Sequence, residues 1–163
     1  MMHRTALAAI ALLLGGPALA QGVAWVSSEK DNALTLIDMG KMAVIGTVPT
    51  CKRPRHISLL PDGKRLLTAC ADSHQGDLID IVSRKSVGKL PLGDDPEAFD
   101  LSPDGKQLYV SSEEEGELLV LDAATGRKIK AIKVGEEPEG VLASPDGKRV
   151  YVTSEVASLV HVV

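Results

Sequence analysis

Two kinds of loop in this 163-residue chain carry the residues whose types and spacing could do chemistry. One kind precedes a short apolar run and reads Lys52-Arg53-Pro54-Arg55, Asp94-Asp95-Pro96-Glu97 and Glu136-Glu137-Pro138-Glu139. The other follows a pair of small hydroxyl residues and supplies Glu29, Glu113-Glu114-Glu115 and Glu155. Residues 94–97, 113–117 and 136–139 hold ten of the 22 acids. Acid gathered this densely does electrostatic work. It attracts and orients a cationic partner and raises its encounter rate. Converging carboxylates also suit a hard cation, which wants several oxygens. No contiguous calcium loop is present, so the metal question stays open. Arg53 and Arg55 form a basic corner at the first of these loops. His56 follows them, where Ala98 and Gly140 stand in the later copies. It reads either as a ligand or haem contact, or as a larger side chain filling an irregular wall. There is no Gly-x-Ser-x-Gly elbow, no His-Glu-x-x-His and no phosphate loop. Asp100 is an isolated acid in an apolar run. The candidate set is therefore a binding rim with no catalytic residues: Glu29, Arg53, Arg55, His56, Asp94, Asp95, Glu97, Glu113, Glu114, Glu136, Glu139 and Glu155. The plain alternative is a solvated loop surface, since loops are commonly charged.

These loops recur because the elements between them recur. Leu60-Pro61-Asp62-Gly63-Lys64 returns as Ser102-Pro103-Asp104-Gly105-Lys106 and as Ser144-Pro145-Asp146-Gly147-Lys148, each 42 residues on. Pro54, Pro96 and Pro138 keep the same step, as do Asp38, Asp80 and Asp122. A fixed period of this length marks a propeller or a solenoid. Within one period four short strands are predicted. The first covers His56–Leu59, Ala98–Leu101 and Gly140–Ala143. A Pro-Asp-Gly hairpin follows, with Pro presetting φ and Gly accepting a positive one. The second covers Val23–Ser28, Arg65–Cys70, Gln107–Ser112 and Arg149–Ser154. The third is Leu34–Ile37, Leu78–Ile79, Leu118–Leu121 and Val160–Val163. The fourth is Val44–Val48, Val87–Leu90 and Ile129–Val134. Trp25, Leu67, Tyr109 and Tyr151 share one repeat position, which predicts packing between neighbouring sheets. Four strands per repeat is a propeller blade. A parallel solenoid would lack the antiparallel hairpin.

The reading is thus an all-β propeller of four-stranded antiparallel blades. About 3.5 of an expected seven are present: strands of a first blade at 22–50, blades at 51–92 and 93–134, and an incomplete blade at 135–163. The repeat breaks off inside a blade, so the chain reads as an N-terminal half of a ring. The other option is a half-ring that self-associates, two copies of 3.5 blades making seven. An open half-ring exposes apolar sheet faces and edges.

Residues 1–20 read as a secretory signal: a basic start at Arg4, an apolar stretch to Leu14, and Ala18-Leu19-Ala20 before a cleavage point at Gln21. The stretch is too short to span a bilayer comfortably. Export with no lipobox Cys predicts a soluble periplasmic protein without a membrane anchor. Removing Arg4 from the 18 Lys+Arg leaves 17 against 22 Asp+Glu, a formal charge of −5. That balance excludes a general nucleic-acid binder. Two cysteines occur, Cys51 and Cys70, without a C-x-x-C or C-x-x-C-H pattern. Export permits a disulfide between them. Both sit at the loop end of one blade, and a bridge and two separate thiols stay equally open.

The segments Leu-Tyr-Val-Ser-Ser (108–112) and Val-Tyr-Val-Thr-Ser (150–154), each followed by an apolar run, resemble the YVTN β-propeller family. Within it the match is to periplasmic propellers associated with catabolism dependent on pyrroloquinoline quinone. The shared segments are Val26–Asn32, Arg53–Arg55, Asp95–Glu97 and Glu137–Gly140. The resemblance implies a propeller found beside quinoprotein alcohol dehydrogenases and c-type cytochromes. It carries no catalytic residues over. It implies a non-enzymatic protein accessory to alcohol oxidation, in which pyrroloquinoline quinone or haem would belong to the partner and this chain would hold no cofactor. The alternative is a propeller enzyme or cofactor domain, a lactonase-like hydrolase or a haem-binding domain like that of nitrite reductase. Its site would be the channel mouth at Arg53, Arg55 and His56.

Overall fold

A computed structural model describes residues 22–163, so the expected signal peptide lies outside the described residues. Fourteen strands form four antiparallel sheets. The first holds β1 (Val23–Ser28), β2 (Ala33–Asp38) and β3 (Ala43–Pro49). The second holds β4 (Pro54–Leu59), β5 (Arg65–Cys70), β6 (Gln75–Asp80) and β7 (Lys85–Pro91). The third holds β8 (Pro96–Leu101), β9 (Gln107–Ser112), β10 (Glu117–Asp122) and β11 (Lys128–Lys133). The fourth holds β12 (Pro138–Ala143), β13 (Val150–Ser154) and β14 (Leu159–Val162). The only helical turn among the described residues is a 3-10 turn at Ala71–Ser73. No helix there is long and apolar enough to cross a membrane. The 3-4-4-3 distribution is the blade pattern of a partial propeller, as the repeat predicted.

The backbone repeats as the sequence does. Left-handed φ values fall at Asn32, His74, Gly116 and Ser158, at Arg53, Asp95 and Glu137, and at Met42, Arg84 and Gly126. Each set keeps the 42-residue step, one residue per turn of each blade. In the Pro-Asp-Gly turns, Gly63, Gly105 and Gly147 take φ of 65°, 70° and 68°. The Asp before each glycine accepts the N–H of the following Lys at 2.8–3.1 Å.

Packing between sheets supplies the core. Strand residues alternate sides, so each sheet presents one apolar row to the sheet before it and one to the sheet after. Trp25, Leu34, Leu36 and Val48 meet Ile57, Leu66 and Ile79. Leu67, Leu90 and Leu92 meet Phe99, Leu108, Val110, Leu119 and Leu121. Tyr109, Leu118 and Val134 meet Val141, Val150 and Val152. The predicted aromatic position thus packs between sheets at its first three copies, as Trp25, Leu67 and Tyr109. β10 is covered on both faces, and its four central residues Leu118–Leu121 are all buried, so its apolar run does not alternate.

Two boundaries differ from expectation in a way that matters. The prolines begin the inner strands and do not merely precede them, since Pro at a first strand position forfeits no ladder bond. β6 starts three residues earlier than predicted, at Gln75. Gly76 and Asp77 hide it from a propensity reading, yet both pair with β5. A Cβ on Gly76 would lie 2.6 Å from Leu67 Cδ1, so only glycine lets that leucine in.

A charged rim at the mouths of the inner strands

Each inner strand carries a bulge directly after its proline. The register slips between Pro54 and Ile57, between Pro96 and Phe99, and between Pro138 and Val141. A bulge re-aims the side chains it contains. Here those are Arg55 and His56, Glu97 and Ala98, and Glu139 and Gly140. The loop residue before each proline, Arg53, Asp95 or Glu137, is left-handed. Two such caps are fixed by the preceding sheet. Arg53 N–H donates to Asn32 Oδ1 at 2.9 Å, and Asp95 N–H donates to His74 Nδ1 at 3.1 Å.

The basic corner and the acids of the rim form one ion-pair network. Arg53 reaches Glu29 at 3.0 Å, Asp95 at 3.0 Å, Glu97 at 3.3 Å, and Asp72 and Glu113 at 3.8 and 3.9 Å. Arg55 reaches Glu29 and Glu139, each at 3.3 Å, and bonds Glu97 through its Nε. One guanidinium therefore ties together the first, third and fourth sheets. The oxygens of Asp95, Glu97 and Glu113 lie within 4.8 Å of one another, close enough for a hard cation. The Arg53 guanidinium approaches all three, so their charge is met from within the protein.

Glu97 is the pivotal acid. Its side chain is 1% exposed. Burial, and a hydrogen bond shared with Glu113, raise its pKa to about 7, against the opposing pull of Arg55. Burial also raises Asp95 and Glu139, with Arg53 and Arg55 opposing. Glu29, at the solvent edge, is lowered by its hydrogen bond from Arg53. Six carboxylates thus surround two guanidiniums, and a surplus of negative charge faces outward.

The remaining candidates separate by place. His56 stands edge-on to Phe99, ring centroids 4.7 Å apart, and burial lowers its pKa despite Asp100. Its packing fits the wall-filling reading. Asp94, Glu114, Glu136 and Glu155 are exposed and outside the network. Asp94 instead lies 3.8 Å from His74 Nδ1. Asp100 is not isolated: its Oδ2 accepts the Ala143 N–H at 2.8 Å and pins β8, the inner strand of the third sheet, to β12, that of the fourth. Sequence reasoning missed Asp72, and it missed Asp77. Asp77 is 2% exposed and accepts hydroxyls from Thr50, at 3.0 Å, and Ser86. An acid at the repeat position held by Thr35, Leu119 and His161 was the available signal.

Two hollows open on the rim. One, of about 520 Å³, lies over the inner strands between Glu29, Arg55, His56, Glu97, Glu139 and Thr153. The other, of about 620 Å³, is a trough lined by Asp95, Glu113, Glu114, Glu115, Glu136 and Glu137. Its lone basic lining residue, Lys133, is held by Glu117 at 3.2 Å and by the Glu115 carbonyl at 2.7 Å.

Cys51 and Cys70 form a disulfide. It sits where the other blades use a serine. Ser112 Oγ donates to the Asp94 carbonyl and Ser154 Oγ to the Glu136 carbonyl, each at 2.6 Å. Cys70 is the equivalent of both serines, and its bridge fastens the Arg53–Arg55 loop covalently.

The fold and rim define a partial β-propeller with a charged inner mouth. Among solved structures the chain is similar to hydrazine synthase of Kuenenia stuttgartiensis, at 25% identity and a TM-score of 0.73, over 86% of this chain and 42% of that one. It is also similar to the dihydro-heme d1 dehydrogenase NirN in complex with DHE, at 21% identity and a TM-score of 0.61, over 84% of this chain and 32% of that one. The chain thus spans less than half the length of either. No family model matches it, and no curated protein does.

Proposed function

We propose that this chain is a non-enzymatic periplasmic propeller whose acidic rim docks a cationic protein. The observation that carries the reading is the trough: six carboxylates around one lysine that is already paired. Asp95 and Glu113 are met by Arg53, and the other four, Glu114, Glu115, Glu136 and Glu137, offer unpaired negative charge to a partner's Lys and Arg side chains, steering association and fixing its orientation. The family resemblance supplies the partner class, a quinoprotein alcohol dehydrogenase or a c-type cytochrome, which would bring its own quinone or haem. Binding of such a protein should be tight at low ionic strength and weaken with salt. Replacing Glu114, Glu136 and Glu137 together with Gln should weaken it further without unfolding the chain, because all three are exposed.

A second reading is a cofactor or hydrolase site in the axial hollow. One observation favours it: His56 lines that hollow with its basicity lowered by burial, so a neutral imidazole faces it. NirN, a structural neighbour, is named for a haem-related reaction. Against it, both arginines it would use are committed to ion pairs. A Soret band on titration with haemin, lost in His56→Ala, would establish this reading. Lactone turnover abolished by a chelator would establish its hydrolytic version.

A further inference from the structure

The junction between the second and third sheets is built from smaller side chains than its neighbours. One repeat position holds Trp25 at the first junction and Tyr109 at the third, but Leu67 at the second. Another, in the turn after the third strand of a blade, holds Ile81 at the first junction and Ala123 at the second. Both changes remove volume from one place. What remains is a hollow of about 210 Å³, lined by six leucines, two alanines and Arg65. Well-packed interiors leave few voids larger than a water molecule. Leu67 and Leu108 are buried in its wall, while Leu60, Leu78 and Leu101 are partly buried and leave it a mouth. Arg65 is already taken, its Nε lying 2.7 Å from Asp62 Oδ2. No other lining side chain is polar. At the third junction the matching space holds the Tyr109 ring, whose hydroxyl donates to Gln107 Oε1 at 3.1 Å. The room left beside that ring is walled in part by Lys130, Lys148 and Arg149. The second junction alone among the three thus lacks a ring at this position.

We propose that this hollow binds a small uncharged aromatic molecule, which takes the place that an aromatic side chain fills at the neighbouring junctions. The size fits, since an apolar cavity of about 150 Å³ stays dry and takes up benzene. The shape fits too. The same backbone frame accepts an indole at Trp25 and a phenol at Tyr109, so a planar ring is what it is set to hold. The lining decides the charge. Leucine and alanine offer no partner to an ionised group, and burying one unpaired is costly. The Arg65 guanidinium is met by Asp62 and does not call for an anion. Both walls are four-stranded sheets with a further sheet on the far side, so the hollow does not depend on what continues the ring. It opens at the hairpin end of the blades, away from the charged rim, and the inference does not rest on the docking reading.

The probe is indole, the ring of Trp25, titrated into the full chain by calorimetry and followed by thermal melts. Indole should bind saturably with one site per chain and raise the melting temperature with its concentration. Leu67→Tyr fills the hollow from the second sheet, as Tyr109 does at the third junction. Ala123→Ile fills it from the opposite wall, as Ile81 does at the first. Each should weaken indole binding at least about tenfold and raise the melting temperature measured without indole. The second variant keeps the test decisive if the first fails to fold. Absence of saturable binding up to about 1 mM indole would overturn the proposal, as would binding that the fillers leave unchanged. Benzoate binding more tightly than indole would also overturn it, by making the ligand an anion held by Arg65.

Discussion

Glu97 and Arg55 sit at the same repeat position of successive blades, yet carry opposite charge, and the rim's pH behaviour follows from that pair. Glu97 has a folded pKa of about 7 against an ordinary 4.5. The folded chain therefore holds a proton that the unfolded chain has released between those values. The resulting stability is fully present below about pH 4.5 and is lost as pH rises through 7. The span corresponds to on the order of 3 kcal/mol. Thermal melts should thus fall by several degrees between pH 5 and 8, and Glu97→Gln should flatten that decline. A wild-type melting temperature that rises across this window would contradict the assignment. Arg55→Met leaves Glu97 buried without its closest cation and should destabilise by about 3–5 kcal/mol at pH 8. The loss should shrink at pH 5, where Glu97 carries its proton. Sequence alone located every charged member of this network except Asp72. It could not pair them, because Arg55 and Glu139 are 84 residues apart in sequence. Their approach depends on how the sheets curve around the axis.

At the scale of elements, the blade is one design executed with substitutions. Its hairpins were legible because Pro-Asp-Gly fixes the turn locally. β6 was legible only in part: its Gly76 and Asp77 are strand residues by packing and not by propensity. The disulfide was half legible. The series Cys70, Ser112, Ser154 shows that the end of the second strand carries a fastening group, but the serine clamps appear only in three dimensions. Two predictions belong here. Removing the bridge as Cys51→Ala with Cys70→Ala should cost roughly 2–4 kcal/mol, measured by urea unfolding. Restoring the fastener of the other blades, as Cys51→Ala with Cys70→Ser, should recover about 1 kcal/mol through a bond to the Lys52 carbonyl. Equal stability of the two variants would show that the serine position does not act as a clamp in this blade.

On the whole-molecule scale, the four sheets bring two loops of every blade to one end, so local charge adds up to a directional field. That the acids would share a face was readable from the repeat. That two arginines would bind part of them, leaving the surplus in the trough beside Glu114, Glu136 and Glu137, was not. The central claim is that this surplus docks a cationic protein, and the most direct test is binding to a basic c-type cytochrome as salt is varied. The account predicts at least a tenfold loss of affinity between about 20 mM and about 300 mM salt, and a comparable loss at low salt in the Glu114, Glu136 and Glu137 triple Gln variant. Absence of binding at 20 mM, or an affinity that salt and the triple variant leave unchanged, would contradict it.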